Sequence, residues 1–197
     1  MFFESKPLSV KEAAILSGVT EKIIRHEMSA RIVRPKRTAS RRVTLGPRAV
    51  FYFSLISRLP VELTKTDRKD LFDLITDRMR VKGRWKREPD RLVLDGPVPV
   101  ELPTSELTRS VADRVRLFAS GKRRVVSNPD VLSGEPIFEG TRVSVRHVGE
   151  LAKKGVPLET LREDFPRLTD RDIEFARLYV ALGRPPGRPR KLRLLRK

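Results

Sequence analysis

The chain carries two histidines, His26 and His147, and no cysteine. These are the side chains that most often ligate transition metals or move protons near neutral pH. The two histidines stand far apart in the sequence, without metal-ligand spacing, so no metal centre is expected. The absence of cysteine removes disulfides and thiolate sites. The carboxylate pairs Glu163/Asp164 and Asp170/Asp172 fall at expected helix ends, where solvation and capping account for them. No glycine-rich phosphate loop follows a strand, and no nucleophile stands with a base in a supported arrangement. Glu12, Asp95 and Glu101 are the acids left over that could line a pocket. The expectation is a non-enzyme, with no catalytic residue, metal ligand or cofactor.

What the chain has in quantity is cationic nitrogen. Lysine and arginine number 43 against 25 acids, for a net charge of +18. The excess is uneven: residues 1–58 carry +8, residues 59–182 only +3, and residues 183–197 carry +7. Two separated basic blocks around a balanced middle suit attraction to a polyanion better than general solubilisation. Hydrophobic residues make up 39% and charged residues 35%, which fits small helical domains with modest cores. Met1-Phe2-Phe3-Glu4 has no basic-then-apolar leader, and the apolar run at residues 50–56 is too short to cross a bilayer. A cytoplasmic protein of bacterial type, with no membrane partner, is therefore expected.

The elements that must position these cations are short. Ser9 with Glu12 is a capping box, so a helix starts at Val10 and breaks at Gly18. Thr20 caps a second helix reaching about Ala30, and Pro35 stops its continuation. Residues 38–45 suit a hairpin, and Gly46-Pro47 opens a helix through Val50, Phe53 and Ile56. Thr66-Asp67 is expected to cap a helix burying Leu71, Phe72, Ile75 and Met79, ended by Gly83. Residues 91–102 alternate around Asp95-Gly96 as a hairpin. A helix over 105–119, closed by Gly121, and an extended stretch at 123–126 follow. A turn-rich segment then leads to helices at 144–154, 158–164 and 170–182, and Gly183 ends the ordered chain.

The first two helices have the spacing of a helix-turn-helix: small Ala14, then Gly18 for a positive φ, then aliphatic Ile24, with Val19 and Ile23 extending the seam. The second helix then presents Thr20, Glu21, Lys22, Arg25 and His26 to a major groove. Lys36, Arg37, Arg41 and Arg42 reach the adjacent backbone. The other reading of this pair is a helical hairpin used only for packing or dimerisation. The stretch from Leu8 to Pro35 resembles the winged helix-turn-helix of MerR-like and excisionase-like regulators. It departs from them at Met28-Ser29-Ala30-Arg31, where an aromatic residue and then glycine are usual.

A second motif runs from Ser127 to Gly183. Asn128-Pro129, Gly134, Pro136-Ile137, Gly140-Thr141-Arg142-Val143, Gly155, Asp164-Phe165-Pro166, Leu168-Thr169 and Asp172-Ile173 resemble the trihelical family called domain of unknown function 433. Its members resemble VapB-type antitoxins, usually encoded beside a PIN-like ribonuclease toxin that they neutralise. Within the motif, Val145, Val148, Leu151, Ala152, Leu161, Phe165, Ile173 and Phe175 or Ala176 read as core. Residues 156–175 hold six acids (Glu159, Glu163, Asp164, Asp170, Asp172, Glu174) against three bases (Arg162, Arg167, Arg171), the wrong sign for a phosphate-facing surface.

The tail holds Arg184, Arg188, Arg190, Lys191, Leu192, Arg193, Leu195 and Arg196. The antitoxin resemblance implies that these bind the toxin, an arginine entering its Mg²⁺-binding acidic pocket. Pro186-Gly187-Arg188-Pro189 also resembles an AT-hook, with Pro186 where an arginine is usual. A solvated tail with only non-specific contacts is the third reading.

The expected whole is mainly α with short β hairpins: a winged helix-turn-helix (1–58), a helical and β middle segment (59–126), a trihelical, helix-turn-helix-like domain (127–183) and a flexible basic tail (184–197). Its expected function is that of a type II antitoxin, which neutralises a PIN-like ribonuclease toxin and represses its own promoter as an operator-bound homodimer. The alternative is a stand-alone MerR-like transcriptional regulator without a toxin.

Overall fold

The structure is a computed structural model that describes residues 7–39, 41–76, 83–97 and 99–183. They fall into two compact units, one within Met1–Lys122 and one within Arg123–Lys197. The fold is mainly helical with short antiparallel β hairpins. The division expected after residue 58 lies inside the first unit.

In the first unit, α1 (Val10–Ser17) starts at a complete capping box. The Glu12 N–H donates to Ser9 Oγ (3.2 Å) and the Ser9 N–H to Glu12 Oε2 (2.7 Å). Gly18 ends the helix at φ 78°, an angle open to glycine at no steric cost. Next, α2 (Glu21–Ser29) is capped by Thr20, whose hydroxyl accepts from Ile23 N–H. The strands β1 (Lys36–Arg37) and β2 (Val43–Thr44) pair antiparallel. Pro47 occupies the first turn of α3 (Pro47–Ile56), where its missing N–H has no helical partner to lose. Every residue of α3 from Ala49 to Leu55 is buried, so this helix is the centre of the unit.

The next helix corrects one expectation. Thr64, not Thr66, caps α4 (Lys65–Ile75), accepting from Asp67 N–H at 3.2 Å. Leu71, Phe72 and Ile75 are buried as their spacing requires; Met79 lies outside the described residues. The helix closes at Ile75 with Thr76 as its cap, before Gly83. The strands β3 (Trp85–Arg87), β4 (Arg91–Leu94) and β5 (Val100–Pro103) form an antiparallel sheet in that order. The expected hairpin is thus β4–β5, joined by a strand that the alternation missed. Trp85 Nε1 donates to the Asp67 carbonyl (2.9 Å), and Arg84 holds both Asp67 carboxylate oxygens (3.2 and 2.6 Å). That guanidinium, above all, keeps the Asp67 carboxyl below its ordinary pKa. Finally, α5 (Ser105–Arg123) runs on through a buried Gly121 instead of stopping before it. Its Lys122 Nζ lies 2.6 Å from Glu12 Oε1, so the α1 capping acid also ties down α5.

In the second unit, β6 (Val125–Val126) pairs antiparallel with β7 (Ile137–Phe138). The loop between them passes through three consecutive left-handed residues, Leu132, Ser133 and Gly134. Three helices follow: α6 (Val145–Lys153), α7 (Leu158–Asp164) and α8 (Asp170–Ala181). Val145, Val148, Leu161, Ile173, Phe175 and Ala176 are buried, while Leu151, Ala152 and Phe165 are half-buried. Thr169 and Asp172 form a second capping box at the start of α8. The buried Asp172 also pairs with Arg124 at 2.9 Å. At Gly149, α6 comes so close to α8 that a Cβ would run into the Ala176 carbonyl oxygen and Val180 Cγ2.

Candidate nucleic-acid interface

The first unit places Lys22, Arg25, His26, Lys36, Arg37, Arg41 and Arg42 on two pieces of backbone that follow one another in the chain, α2 and the β1–β2 hairpin. On α2, Ile24 points fully inward, opposite α1, where Ala14 is also buried. Glu27 is the other buried residue of the helix, and most of the rest face water. Thr20, Lys22, Arg25 and His26 are exposed, and Glu21 is half-buried. Arg25 Nη2 lies 3.0 Å from Glu21 Oε2, one turn earlier. Such an exposed pair within one helix is worth only about 0.3–0.5 kcal/mol, so Arg25 can exchange this partner for a phosphate at little cost. Ile23 departs from expectation: it is 41% exposed and takes no part in the seam.

The hairpin carries the other cations. Lys36 pairs with Thr44 and Arg37 with Val43. The turn is closed by Thr38 N–H donating to the Arg42 carbonyl (3.0 Å) and Arg41 N–H to the Thr38 carbonyl (2.8 Å). Arg41 sits in the left-handed region at φ 58°, and Ser40 beside it lies outside the described residues. Lys36, Arg37, Arg41 and Arg42 are all exposed. The hairpin is anchored below by Leu45 and Leu8, whose backbones exchange two hydrogen bonds (2.9 and 2.8 Å). Of the nine residues expected to meet DNA, the structure exposes eight and half-buries Glu21. The eight tail residues expected to meet a toxin lie outside the described residues.

What orients α2 is a residue that pattern reading missed. Glu27, only 3% exposed, accepts a hydrogen bond from the Tyr52 hydroxyl of α3 at 2.7 Å. Its other carboxylate oxygen lies 3.2 Å from Arg68 Nε of α4. Burial first, and Glu27 next, push the Tyr52 hydroxyl far above its ordinary range, so it remains a proton donor. The Glu27 carbonyl also accepts from Ile32 and Val33 N–H (3.0 and 3.2 Å), turning the chain out of α2. Arg31 makes that turn at φ 59°, a conformation that favours glycine. One local signal pointed to Glu27: it stands three residues after Ile24, on the same helix face.

Among the described residues, no group of three or more His, Asp or Glu side chains is placed to hold a metal ion. Nor is any helix among them long and apolar enough to cross a membrane.

Comparison with known proteins bears mainly on the second unit. Residues 125–180 match the family described as Protein of unknown function (DUF433), so the segment from β6 almost to the end of α8 is a DUF433 domain. The chain is 28% identical over 193 residues to the uncharacterized protein y4eO of Sinorhizobium fredii (strain NBRC 101917 / NGR234), which covers 93% of this chain and 84% of that one. Among solved structures, the crystal structure of Rv2018 from Mycobacterium tuberculosis aligns at 13% identity and a TM-score of 0.39, over 87% of this chain and 98% of that one.

Proposed function

We propose that α1, α2 and the β1–β2 hairpin form a winged helix-turn-helix that binds operator DNA, and that the whole chain is a type II antitoxin. In this reading α2 enters the major groove, with Thr20, Lys22, Arg25 and His26 toward base edges and phosphates. Lys36, Arg37, Arg41 and Arg42 hold the neighbouring backbone. The DUF433 domain and the basic tail beyond Gly183 hold a PIN-like ribonuclease toxin. A homodimer supplies two heads to a palindromic operator in the chain's own promoter. The toxin strengthens repression when one complex presents several heads, because linked sites gain effective concentration. No catalytic role is assigned to the chain.

The observation that carries the DNA half is the joint exposure of Lys22, Arg25, His26, Lys36, Arg37, Arg41 and Arg42 on α2 and the adjoining hairpin of one unit. The toxin half is supported by the match of residues 125–180 to DUF433 and by the basic composition of residues 184–197.

The test is co-expression with the neighbouring gene, followed by binding to the upstream DNA. Full-length chain is expected to co-purify with that gene product, and a chain ending at Gly183 to lose it. A complex that survives truncation moves the contact to the DUF433 domain. No complex with either chain leaves a stand-alone regulator. Arg25→Ala or Arg41→Ala is expected to weaken operator binding and flatten its salt dependence by about one phosphate contact each, a change of about 0.9 in slope. Partner binding should be intact in both. Equal loss of both activities would overturn the division of labour.

A further inference from the structure

Four large apolar side chains stand exposed among the described residues: Ile23, Val61, Val126 and Leu132. Ile23 alone of these lies on α2, next to Lys22 and one turn before His26. Its neighbour Ile24 takes the inward position at 0% exposure, which leaves Ile23 at 41% about 100° around the helix. It is the third residue of α2 and its N–H is already bonded to Thr20 Oγ1, so its place in the first turn is fixed.

The surrounding side chains can donate hydrogen bonds or pair with phosphates; a branched alkyl chain can do neither. In helix-turn-helix docking, the first turn of the second helix is the part that meets base edges. The apolar group that the major-groove edge of a base pair offers there is the C5-methyl of thymine. Resting on the DNA-binding reading above, we infer that Ile23 is a specificity residue that recognises one thymine per bound chain by apolar contact with its methyl group. This contact accounts for a large aliphatic side chain kept in water on an otherwise polar face.

The probe is a duplex selected from a random library by the full-length chain. Each thymine of the selected site is replaced in turn by deoxyuridine, which deletes the methyl and preserves every hydrogen-bonding edge. Wild type is expected to lose about fourfold in affinity at one thymine per bound chain, the equivalent of one buried methyl at about 0.8 kcal/mol. Ile23→Ala should bind the thymine duplex at least fourfold more weakly and should not respond to deoxyuridine at that position. The wild-type scan does not depend on the variant's folding. Selective binding that is indifferent to every replacement, or a sensitive position that weakens both proteins equally, overturns the role of Ile23 and leaves DNA recognition standing. Failure to enrich any duplex overturns DNA recognition itself, and the thymine contact with it.

Discussion

Each unit depends on a glycine in a helix pair, and the two glycines do different work. A Cβ at Gly18, between α1 and α2, would meet nothing within 4 Å; that position needs glycine for its φ of 78°. A Cβ at Gly149 would strike the backbone and a side chain of α8; that position needs glycine for space. The buried acids divide less cleanly. The first unit buries Glu27, whose partners Tyr52 and Arg68 come from other elements, and Asp67, which bonds Thr64 at the cap of its own helix with Arg84 added. The second unit buries Asp172 within the capping box of its own helix, with Arg124 added. Among the described residues the Glu27 tie has no counterpart in the second unit, whose α6 and α8 meet by close backbone approach at Gly149. The tied unit is the one whose α2 shows its cations outward.

The comparison is broken most severely at Glu27. Glu27→Ala strands the buried Tyr52 hydroxyl and leaves the Arg68 guanidinium only the Leu63 carbonyl, and should destabilise the first unit by about 3–5 kcal/mol, the cost of removing one member of a buried charged pair. Amide exchange resolved by residue should show faster opening across α2, α3 and α4, with the DUF433 domain unchanged. Slower or unaltered exchange in α2 would show that the carboxylate does not hold the helix.

Gly149→Ala inverts the pattern. Overpacking at the α6–α8 crossing should cost about 3 kcal/mol, confined to the second unit. Its counterpart Gly18→Ala forces a methyl-bearing residue to φ 78° without any clash and should cost about 1–2 kcal/mol in the first. If the two variants cost the same, in urea denaturation followed by exchange, the distinction between an angle and a space fails.

The smallest contrast lies between two arginine–carboxylate pairs. Asp67 is buried against Arg84, whereas Asp170 faces solvent beside Arg162. Asp67→Asn should cost about 1–2 kcal/mol at neutral pH, discounted because Arg84 is half in water. Asp170→Asn should melt with wild type. The Asp67 carboxyl is depressed below its usual 3.8 by Arg84, so its contribution is complete above that pH and fades as pH falls through the lower folded value. The gap between wild type and Asp67→Asn should therefore be widest near neutrality and narrow below pH 3.8. A gap that widens with acid would reverse the assignment.

Local chemistry was legible in the sequence and remote pairing was not. The capping box of Ser9 with Glu12 and the acidic cap at Asp170 and Asp172 were readable because each is complete within four residues; the structure makes the second a capping box of Thr169 with Asp172. The cap of α4 slipped from Thr64 to Thr66 because two threonines stand either side of Lys65, and only the acceptor of the Asp67 N–H separates them. The strand β3 escaped notice because Trp85-Lys86-Arg87 has no apolar alternation; its partner is Leu92–Leu94 in β4. Gly121 looked like a stop and proved to be a buried helical position, which glycine's helix-breaking tendency does not reveal. At the candidate interface, exposure of Lys22, Arg25 and His26 followed from helical periodicity, and that of Lys36, Arg37, Arg41 and Arg42 from their place in a short polar hairpin. The same spacing from Ile24 put Glu27 on the inward face, but its partner Tyr52, 25 residues away, could not be read from it.

The hold on α2 has a consequence for heredity. Its inward side rests on Ile24 and Glu27, while Lys22, Ile23, Arg25 and His26 make no demand on the core. A gene copy can accumulate changes at those four codons while the protein keeps its shape. On the proposed DNA-binding reading, recognition and folding are written in separate letters of the same helix, and a duplicated lineage can acquire a new target before its architecture is put at risk.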